Sequence, residues 1–348
     1  MRIVVLGLSI TSSWGNGHAT NFRALCCALR RRGNDVLFLE RDKPWYASSR
    51  DFAAPWVDLY DSVDDLQRRS RAVEAADLVL IGSFVPDGVE VAEWALDTAR
   101  GVVGFWDIDT PVTAAAMQEG SCEYLTPALV PRFDVYLSFT GGPLLERLGA
   151  ARPRPFWCMV DPDLYAPMAT PIRWDLGYLG TYSPDRQRTL EELLLQPARR
   201  RPSWSFVVGG PMYPDEIAWP ENVDRVENVP PGDHAAFYSG KRFTLNVTRT
   251  DMIRAGWSPS VRLFEAAASG VPIISDWWEG LDEFFEPGRE ILIAHDGHDV
   301  ERFLADTGEE ARQAIASVAR ARVLGHHTAA RRAAELELIV DEVSRAAA

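Results

Sequence analysis

Short runs of apolar residues alternate with helical patterns along the whole chain. In the first half, these runs predict strands at residues 3–8, 36–40, 78–82, 102–106, 135–139 and 156–160. In the second half, they predict strands at residues 177–180, 205–209, 242–247, 271–275 and 290–294. Because helical segments separate these strands, the pattern predicts two series of parallel strands covered by helices.

The clearest helix of the first half is predicted at residues 18–32. Phe22, Leu25, Cys26 and Leu29 form one apolar stripe, and Gly33 ends the pattern. In the second half, helices are predicted to begin near Pro184, His234, Ser260 and Leu281. Residues 331–348 are amphipathic, which suggests a final helix that packs back on the first domain.

A break in periodicity divides the chain. Residues 161–171 contain three prolines and no regular pattern, which indicates a linker. We therefore expect an N-terminal domain at residues 1–165, a C-terminal domain at residues 172–330 and a tail at 331–348. Both would be Rossmann-like, doubly wound α/β domains facing a central cleft, where ligands bind at the carboxyl ends of the strands.

One helix of the second domain places a carboxylate among apolar residues. Ser258 is a good N-cap and Pro259 suits the first helical position, so the N–H groups of Ser260 and Val261 would face outward and could hold a phosphate. Glu265 lies farther along this helix, between apolar neighbours, where an unpaired charge is costly. It therefore needs a polar partner.

Two partners for Glu265 are compatible with the pattern. Arg262 lies three residues earlier and could form an ion pair with it on the helix surface. Alternatively, Glu265 accepts hydrogen bonds from ribose hydroxyls while the start of the helix holds a diphosphate. The pattern alone does not separate the two.

Further candidates follow other strands of the second half. Arg186 comes after the strand end at Gly180 and Thr181, and in so acidic a chain its guanidinium is a plausible diphosphate ligand. Gly209 and Arg249 also follow strands. Surface arginines without a role and ordinary turn chemistry are the alternatives.

In the first half, a glycine-rich loop precedes the helix at residue 18. Gly15 and Gly17 would let this loop approach a ligand, and its spacing from the strand differs from that of a dinucleotide-binding motif. His18 could donate to a substrate oxygen or act as a base, or simply begin its helix. Gly141 follows another predicted strand and is a candidate on the acceptor side.

The segment Trp106-Asp107-Ile108-Asp109 follows an apolar strand, which would bring both carboxylates to the ligand-binding edge. Two aspartates at this spacing can chelate a divalent cation. We favour helix capping, with Pro111 in the first turn, together with contact to an acceptor, so no metal site is predicted. Trp106 could offer an aromatic face to that acceptor.

Composition excludes several classes of protein. The chain has 36 Lys and Arg against 50 Asp and Glu, a formal charge of −14, which argues against a surface for nucleic acid or anionic membranes. No run of 18 apolar residues predicts a membrane span, and the N-terminus enters a strand without the form of a signal peptide. The four cysteines have no metal-type spacing. We expect a cytoplasmic protein.

The second half resembles the nucleotide-sugar domain of GT-B fold glycosyltransferases. The closest likeness is to the CgeB-like (spore maturation protein) group, within the wider family-4-type retaining enzymes. Residues 258–270 carry the most specific part of the resemblance, and residues 178–187, 245–252, 107–111 and 138–143 support it.

The resemblance implies roles for individual residues. Glu265 matches the second glutamate of the E-x7-E motif, which holds the ribose, whereas Trp257 stands where the first glutamate is expected. Arg186 lies where the wider family has a lysine that neutralises the diphosphate. Glu279 and Gly280 continue the matched segment on the donor side.

The implied reaction moves a sugar from a nucleoside diphosphate sugar, with a UDP-, GDP- or dTDP-sugar as donor, to an unidentified acceptor. Metal independence follows from the arginines, retention of configuration follows from the resemblance, and no other cofactor is implied. A nucleotide-sugar epimerase and a non-catalytic nucleotide- or sugar-binding protein are the alternatives. The oligomeric state is left open.

Overall fold

The computed structural model describes residues 1–14 and 17–347. It divides into two compact units, one of Met1–Met159 with Ala329–Ala348 and one of Val160–Thr328. Each unit is built around its own parallel sheet. Among the described residues, no helix is both long and apolar enough to cross a membrane.

The first unit contains a seven-stranded sheet. Its strands are β1 (Arg2–Gly7), β2 (Asp35–Arg41), β3 (Val57–Tyr60), β4 (Leu78–Gly82), β5 (Val102–Asp107), β6 (Val135–Ser138) and β7 (Pro153–Pro155). They are all parallel and lie in the order β3-β2-β1-β4-β5-β6-β7. The order reverses between β1 and β4, the switch point at which ligands enter such sheets.

The second unit repeats this plan with six strands. They are β8 (Trp174–Leu179), β9 (Phe206–Gly209), β10 (Val223–Val226), β11 (Lys241–Asn246), β12 (Ile273–Ser275) and β13 (Leu292–Ile293). All pairs are parallel, in the order β10-β9-β8-β11-β12-β13. The switch point here lies between β8 and β11.

Helices connect the strands. In the first half these are α1 (His18–Arg31), α2 (Pro44–Ala47), α3 (Val63–Leu66), α4 (Ser70–Glu74), α5 (Gly88–Thr98), α6 (Thr110–Glu119) and α7 (Gly142–Arg147). They continue with α8 (Pro184–Leu190), α9 (Gln196–Arg200), α10 (His234–Ser239), α11 (Thr250–Ala255), α12 (Val261–Ala268), α13 (Leu281–Phe284), α14 (Gly297–Asp306), α15 (Glu309–His326) and α16 (Ala329–Ala347). A π-helical segment, Glu191–Leu195, joins α8 to α9.

The predicted fold class, two Rossmann-like doubly wound domains, is confirmed. The sequence pattern missed β3 and β10, which are outermost in their sheets, are only four residues long and contain charged residues. The strand predicted at residues 156–160 is wrong, because β7 ends at Pro155. The N–H of Met159 instead donates to the Asn21 side chain at 3.1 Å, so this buried run leaves the sheet.

The chain enters and leaves the second unit at one place. The N–H of Val160 donates to the carbonyl of His327 at 2.9 Å, and Val160 pairs with Thr328. The units therefore divide at residues 159/160 and 328/329, whereas the sequence pattern placed the division at the prolines of residues 161–171.

The final helix α16 packs on α1 in the first unit. Leu336, Val340 and Val343 are buried on one of its faces. Glu337 forms an ion pair with Arg32 at 2.6 Å and accepts a hydrogen bond from Asn34 at 2.7 Å. Apolar burial and these polar contacts together fix the helix to the start of the chain.

Leu336→Ala tests how much this packing stabilises the unit. Leu336 is 0% exposed, so its truncation should lower the free energy of unfolding by about 2–5 kcal/mol in urea denaturation. Leu338→Ala is the matched control, since Leu338 is 70% exposed and should change stability by less than about 0.5 kcal/mol. Equal losses in both variants would contradict the observed orientation of α16.

Candidate functional site

A buried arginine joins the two strand ends at the switch point of the second sheet. The Arg262 Nε donates to the carbonyl of Leu179 at the end of β8. Its Nη1 donates to Oδ1 of Asn246 at the end of β11, at 2.9 Å. The guanidinium also lies 4.7 Å from the centre of the Tyr178 ring. Arg262 is therefore fixed where doubly wound sheets bind ligands.

Two more arginines lie beside it. The Arg186 Nη2 donates to the Thr181 carbonyl at 2.6 Å, and its buried Nε has no hydrogen-bond partner among the described residues. Burial lowers the pKa of Arg186, and the positive charges of Arg262 and Arg249 lower it further. Arg249 is half-buried and stands at the N-cap position of α11, where its side chain makes no capping bond.

No carboxylate of the described residues forms an ion pair with any of these three arginines. Asp185 acts on Arg186 and Arg249 only at longer range, and Glu265 and Asp276 act in the same way on Arg262. Asp185 accepts a hydrogen bond from the Thr250 N–H at 3.0 Å. In a chain with formal charge −14, three neighbouring guanidinium groups that form no ion pair with a described carboxylate are suited to bind an anion. We call Arg186, Arg249 and Arg262 the arginine cluster.

Helix α12 begins beside the arginine cluster, two residues later than predicted. Ser260, not Ser258, is the N-cap, and its hydroxyl donates to Asn246 Oδ1 at 2.9 Å instead of capping the helix. The Ser260 backbone is extended, with φ of −75° and ψ of 148°, so the helical conformation begins only at Val261. The first backbone bond joins the N–H of Leu263 to the Ser260 carbonyl, so the N–H of Val261 lies in the open first turn.

Glu265 has partners that the sequence pattern did not identify. Its Oε1 accepts a hydrogen bond from the Tyr165 hydroxyl at 2.7 Å, and its Oε2 accepts one from the Tyr238 hydroxyl at 3.2 Å. His234 Nδ1 lies 3.9 Å from Oε2. The expected alternative of an Arg262–Glu265 ion pair is wrong, because the guanidinium points to the strand ends.

Two predicted site glycines are required by packing. A Cβ on Gly180 would lie 2.7 Å from the Arg262 Nη2 and from the Tyr178 hydroxyl. A Cβ on Gly209 would lie 2.9 Å from the Phe237 ring. Because glycine has no Cβ, the arginine cluster and the strand ends can pack closely at both positions.

Trp257 adopts a strained conformation ahead of α12. Its φ of 42° lies in the left-handed region, which a bulky residue rarely occupies. The backbone N–H donates to the Glu279 carbonyl at 2.7 Å, and Nε1 donates to Glu283 Oε1 at 2.7 Å. Gly280, with φ of 87°, packs against the indole, while the Glu279 side chain is exposed.

In the first unit, His18 and Asp109 form a pair. His18 begins α1, and its Nε2 lies 3.3 Å from Oδ2 of Asp109, the N-cap of α6. The Asp109 side chain therefore contacts the histidine and makes no capping bond. Gly17 is exposed just before His18, and Gly15 lies outside the described residues.

Two predictions for the first unit require correction. Asp107 does not face a ligand-binding edge, because it is fully buried and accepts hydrogen bonds from Tyr136 at 2.6 Å and Thr113 at 2.8 Å. Trp106 is buried among phenylalanines and offers no face to an acceptor. Gly141 packs on Trp157, where a Cβ would lie 2.5 Å from the ring, and its place on the acceptor side stays a prediction.

The sequence and the fold of this chain are similar to those of known glycosyltransferases and related proteins. The model of a family described as "Glycosyl transferase-like" matches residues 186–337. Sucrose-phosphate synthase from Thermosynechococcus elongatus has a similar structure, with a TM-score of 0.70, 16% identity, and coverage of 99% of this chain and 100% of that one. The chain has the GT-B fold.

Other solved structures of this fold are similar over the whole chain. Anabaena Alr3699/HepE, in complex with UDP and glucose, has a TM-score of 0.68 and 13% identity, and the match covers 98% of this chain and 100% of that chain. An alpha-glucosyltransferase in complex with UDP-glucose and DNA has a TM-score of 0.71 and 14% identity, and covers 98% and 99%. No curated protein matches the sequence. The residues that match the family model, 186–337, include the arginine cluster and Glu265.

Sequence reasoning missed the three side chains around Glu265. Tyr165 falls in the segment interpreted as a linker, so nothing local marked it. His234 and Tyr238 are four residues apart and share one face of α10, which was a usable signal. Among the described residues, no group of three or more His, Cys, Asp or Glu side chains is arranged to hold a metal.

Asp107→Asn tests the buried carboxyl group of the first unit. Burial raises the pKa of Asp107 from 3.8 to about 6, although Tyr136 and Thr113 oppose the shift. Between these two pKa values the folded state binds more protons than the unfolded state. The free energy of unfolding therefore falls as pH rises through this window, by up to about 3 kcal/mol. Urea unfolding between pH 4.5 and 7 should show that wild type loses more stability than the variant. Parallel curves would contradict the raised pKa.

Proposed function

We propose that this protein is a glycosyltransferase that uses a nucleoside diphosphate sugar. The observation that carries the proposal is the arginine cluster at the switch point of the second sheet. It provides concentrated positive charge, without a carboxylate partner among the described residues, on a GT-B fold. A diphosphate is the anion that such a site suits, since its charge grows as the sugar leaves.

UDP is our proposed nucleotide. The solved structures of Alr3699/HepE and the alpha-glucosyltransferase hold UDP or UDP-glucose. GDP- and dTDP-sugars are the donors to test beside it. The acceptor is unidentified, and the charge of −14 argues against nucleic acid as the acceptor.

Each residue of the site then has a defined task. Arg186, Arg249 and Arg262 would neutralise the diphosphate, with the N–H groups of Ser260 and Val261 at the start of α12. Glu265 would accept hydrogen bonds from the ribose. Each of its oxygens has one tyrosine donor and so retains capacity for another bond.

The reaction would break the bond between the anomeric carbon and the diphosphate oxygen and form a bond to an acceptor oxygen. The diphosphate keeps the electron pair, and the acceptor hydroxyl loses its proton. His18, oriented by Asp109, is our candidate for contact with the acceptor hydroxyl. The arginines would supply positive charge without a metal.

The proposal also includes retention of configuration at the anomeric carbon, membership of the CgeB-like group and a cytoplasmic location. Retention and the group rest on the resemblance described above. Trp257, in place of the first motif glutamate, leaves no carboxylate at that position, so leaving-group stabilisation would be the main source of catalysis.

A donor panel tests the function. The protein is incubated with UDP-, GDP- and dTDP-sugars, with and without candidate acceptors and with EDTA, and nucleoside diphosphate release is measured. Acceptor-stimulated release from a UDP-sugar, unaffected by EDTA, is expected. An isomerised donor without release would indicate an epimerase, and tight binding with neither outcome would indicate a binding protein. Loss of activity in EDTA would overturn metal independence.

Arg186→Ala tests leaving-group stabilisation. Removal of one of three guanidiniums should lower kcat by about 100-fold, because the developing diphosphate charge loses a fixed cation. Arg188→Ala is the control, since Arg188 is exposed on the same helix and should leave turnover unchanged. Wild-type kinetics for Arg186→Ala would remove Arg186 from the site.

A further inference from the structure

A chain of hydrogen bonds runs from Glu265 through Tyr165 to His234. The Tyr165 hydroxyl lies 2.7 Å from Glu265 Oε1 and 3.2 Å from His234 Nδ1. On the far side of the imidazole, Nε2 lies 3.0 Å from the Val229 carbonyl oxygen. All four residues belong to the second unit.

The number of protons in this chain can be counted. A carbonyl oxygen only accepts, so His234 Nε2 must carry a proton. The Tyr165 hydroxyl has one proton, which it donates to Glu265. The contact between Tyr165 and His234 is then a hydrogen bond only if Nδ1 also carries a proton, which makes the imidazole a cation.

A second arrangement holds the same number of protons. A protonated Glu265 donates to the Tyr165 oxygen, and Tyr165 donates to a neutral Nδ1. In both arrangements, the hydrogen-bonded residues Glu265, Tyr165 and His234 carry one proton more than they would with an ionised glutamate and a neutral histidine. Loss of that proton breaks one of the two hydrogen bonds of Tyr165.

The other groups around Glu265 do not replace this proton. Tyr238, on α10, already donates its only proton to Oε2. Arg262 points to the strand ends, and burial holds the pKa of Lys241 on β11 well below its usual range. Asp276 after β12 is held by Thr248, and Arg320 on α15 donates to the Ala268 carbonyl.

We propose that Tyr165 and His234 are positioning residues that share one proton with Glu265, and that nucleotide binding places this proton on His234. The inference rests on the proposed function, in which ribose hydroxyls donate to Glu265. Such donors favour the ionised carboxylate, which leaves the cation on His234. The imidazolium then offsets the cost of a buried charge on Glu265.

Nuclear magnetic resonance counts the proton directly. The ring nitrogens of His234 and the side-chain carboxyl carbon of Glu265 are observed at pH 7, and His234→Asn and Glu265→Gln assign the signals. We expect one extra proton on this pair in the free protein, and both imidazole nitrogens protonated with UDP bound. A neutral His234 beside an ionised Glu265, in either state, would overturn the proposal. Because the free protein is informative, this holds even if the protein binds no UDP.

Tyr165→Phe separates positioning from simple packing. The variant should lose about tenfold in UDP affinity by calorimetry, and its His234 should be neutral with UDP bound, whereas affinity for 2′,3′-dideoxy-UDP should not change. Tyr238→Phe, which removes a tyrosine donor from the other oxygen, should keep the imidazolium signal. Thermal melting checks that both variants fold. Equal losses for both nucleotides, or an unchanged His234 signal in Tyr165→Phe, would contradict the positioning role.

Discussion

The buried guanidinium of Arg262 determines how the second unit is arranged at its switch point. It joins the carbonyl of Leu179 to the side chain of Asn246, so the ends of two non-consecutive strands are held together. Gly180 must lack a side chain because the guanidinium occupies that space. Asn246 also accepts the hydroxyl of Ser260, which connects the start of α12 to the same interaction. A buried charge is tolerated there because its donors are satisfied and Tyr178 lies against its face.

Carboxylates near the strand ends are satisfied mainly by hydroxyl and N–H donors. Glu40, which is fully buried, accepts bonds from the side chains of Ser9 and Thr11 and from the backbone N–H groups of Ile10 and Thr11. Asp107 depends on Tyr136 and Thr113, and Glu265 on two tyrosines. In the second unit, Glu265 bonds two tyrosines and forms no ion pair with the arginine cluster, which is how an acidic protein can present a site for an anion.

Strong local patterns predicted most of the architecture. The buried runs at β4 and β5 and the stripe of α1 were assigned correctly, because each satisfies its periodicity without information from elsewhere. The edge strands β3 and β10 were missed, since each is only four residues long and is interrupted by charged residues, so it lacks a continuous apolar run. Trp106 and Asp107 were assigned to the wrong environment for a related reason. A residue at the end of a buried strand can turn toward solvent or into the core, and periodicity does not separate the two.

The sequence by itself determined the two doubly wound domains, the position of Glu265 on an apolar helix and the need of that carboxylate for a partner. Only the tertiary structure decided which partner it has. Tyr165 lies 100 residues from Glu265, and His18 lies 91 residues from Asp109. Helical and strand periodicities extend over one element, whereas these contacts depend on the order of strands in a sheet. Burial of a charge can therefore be inferred locally, but the donors that satisfy it are chosen by the fold.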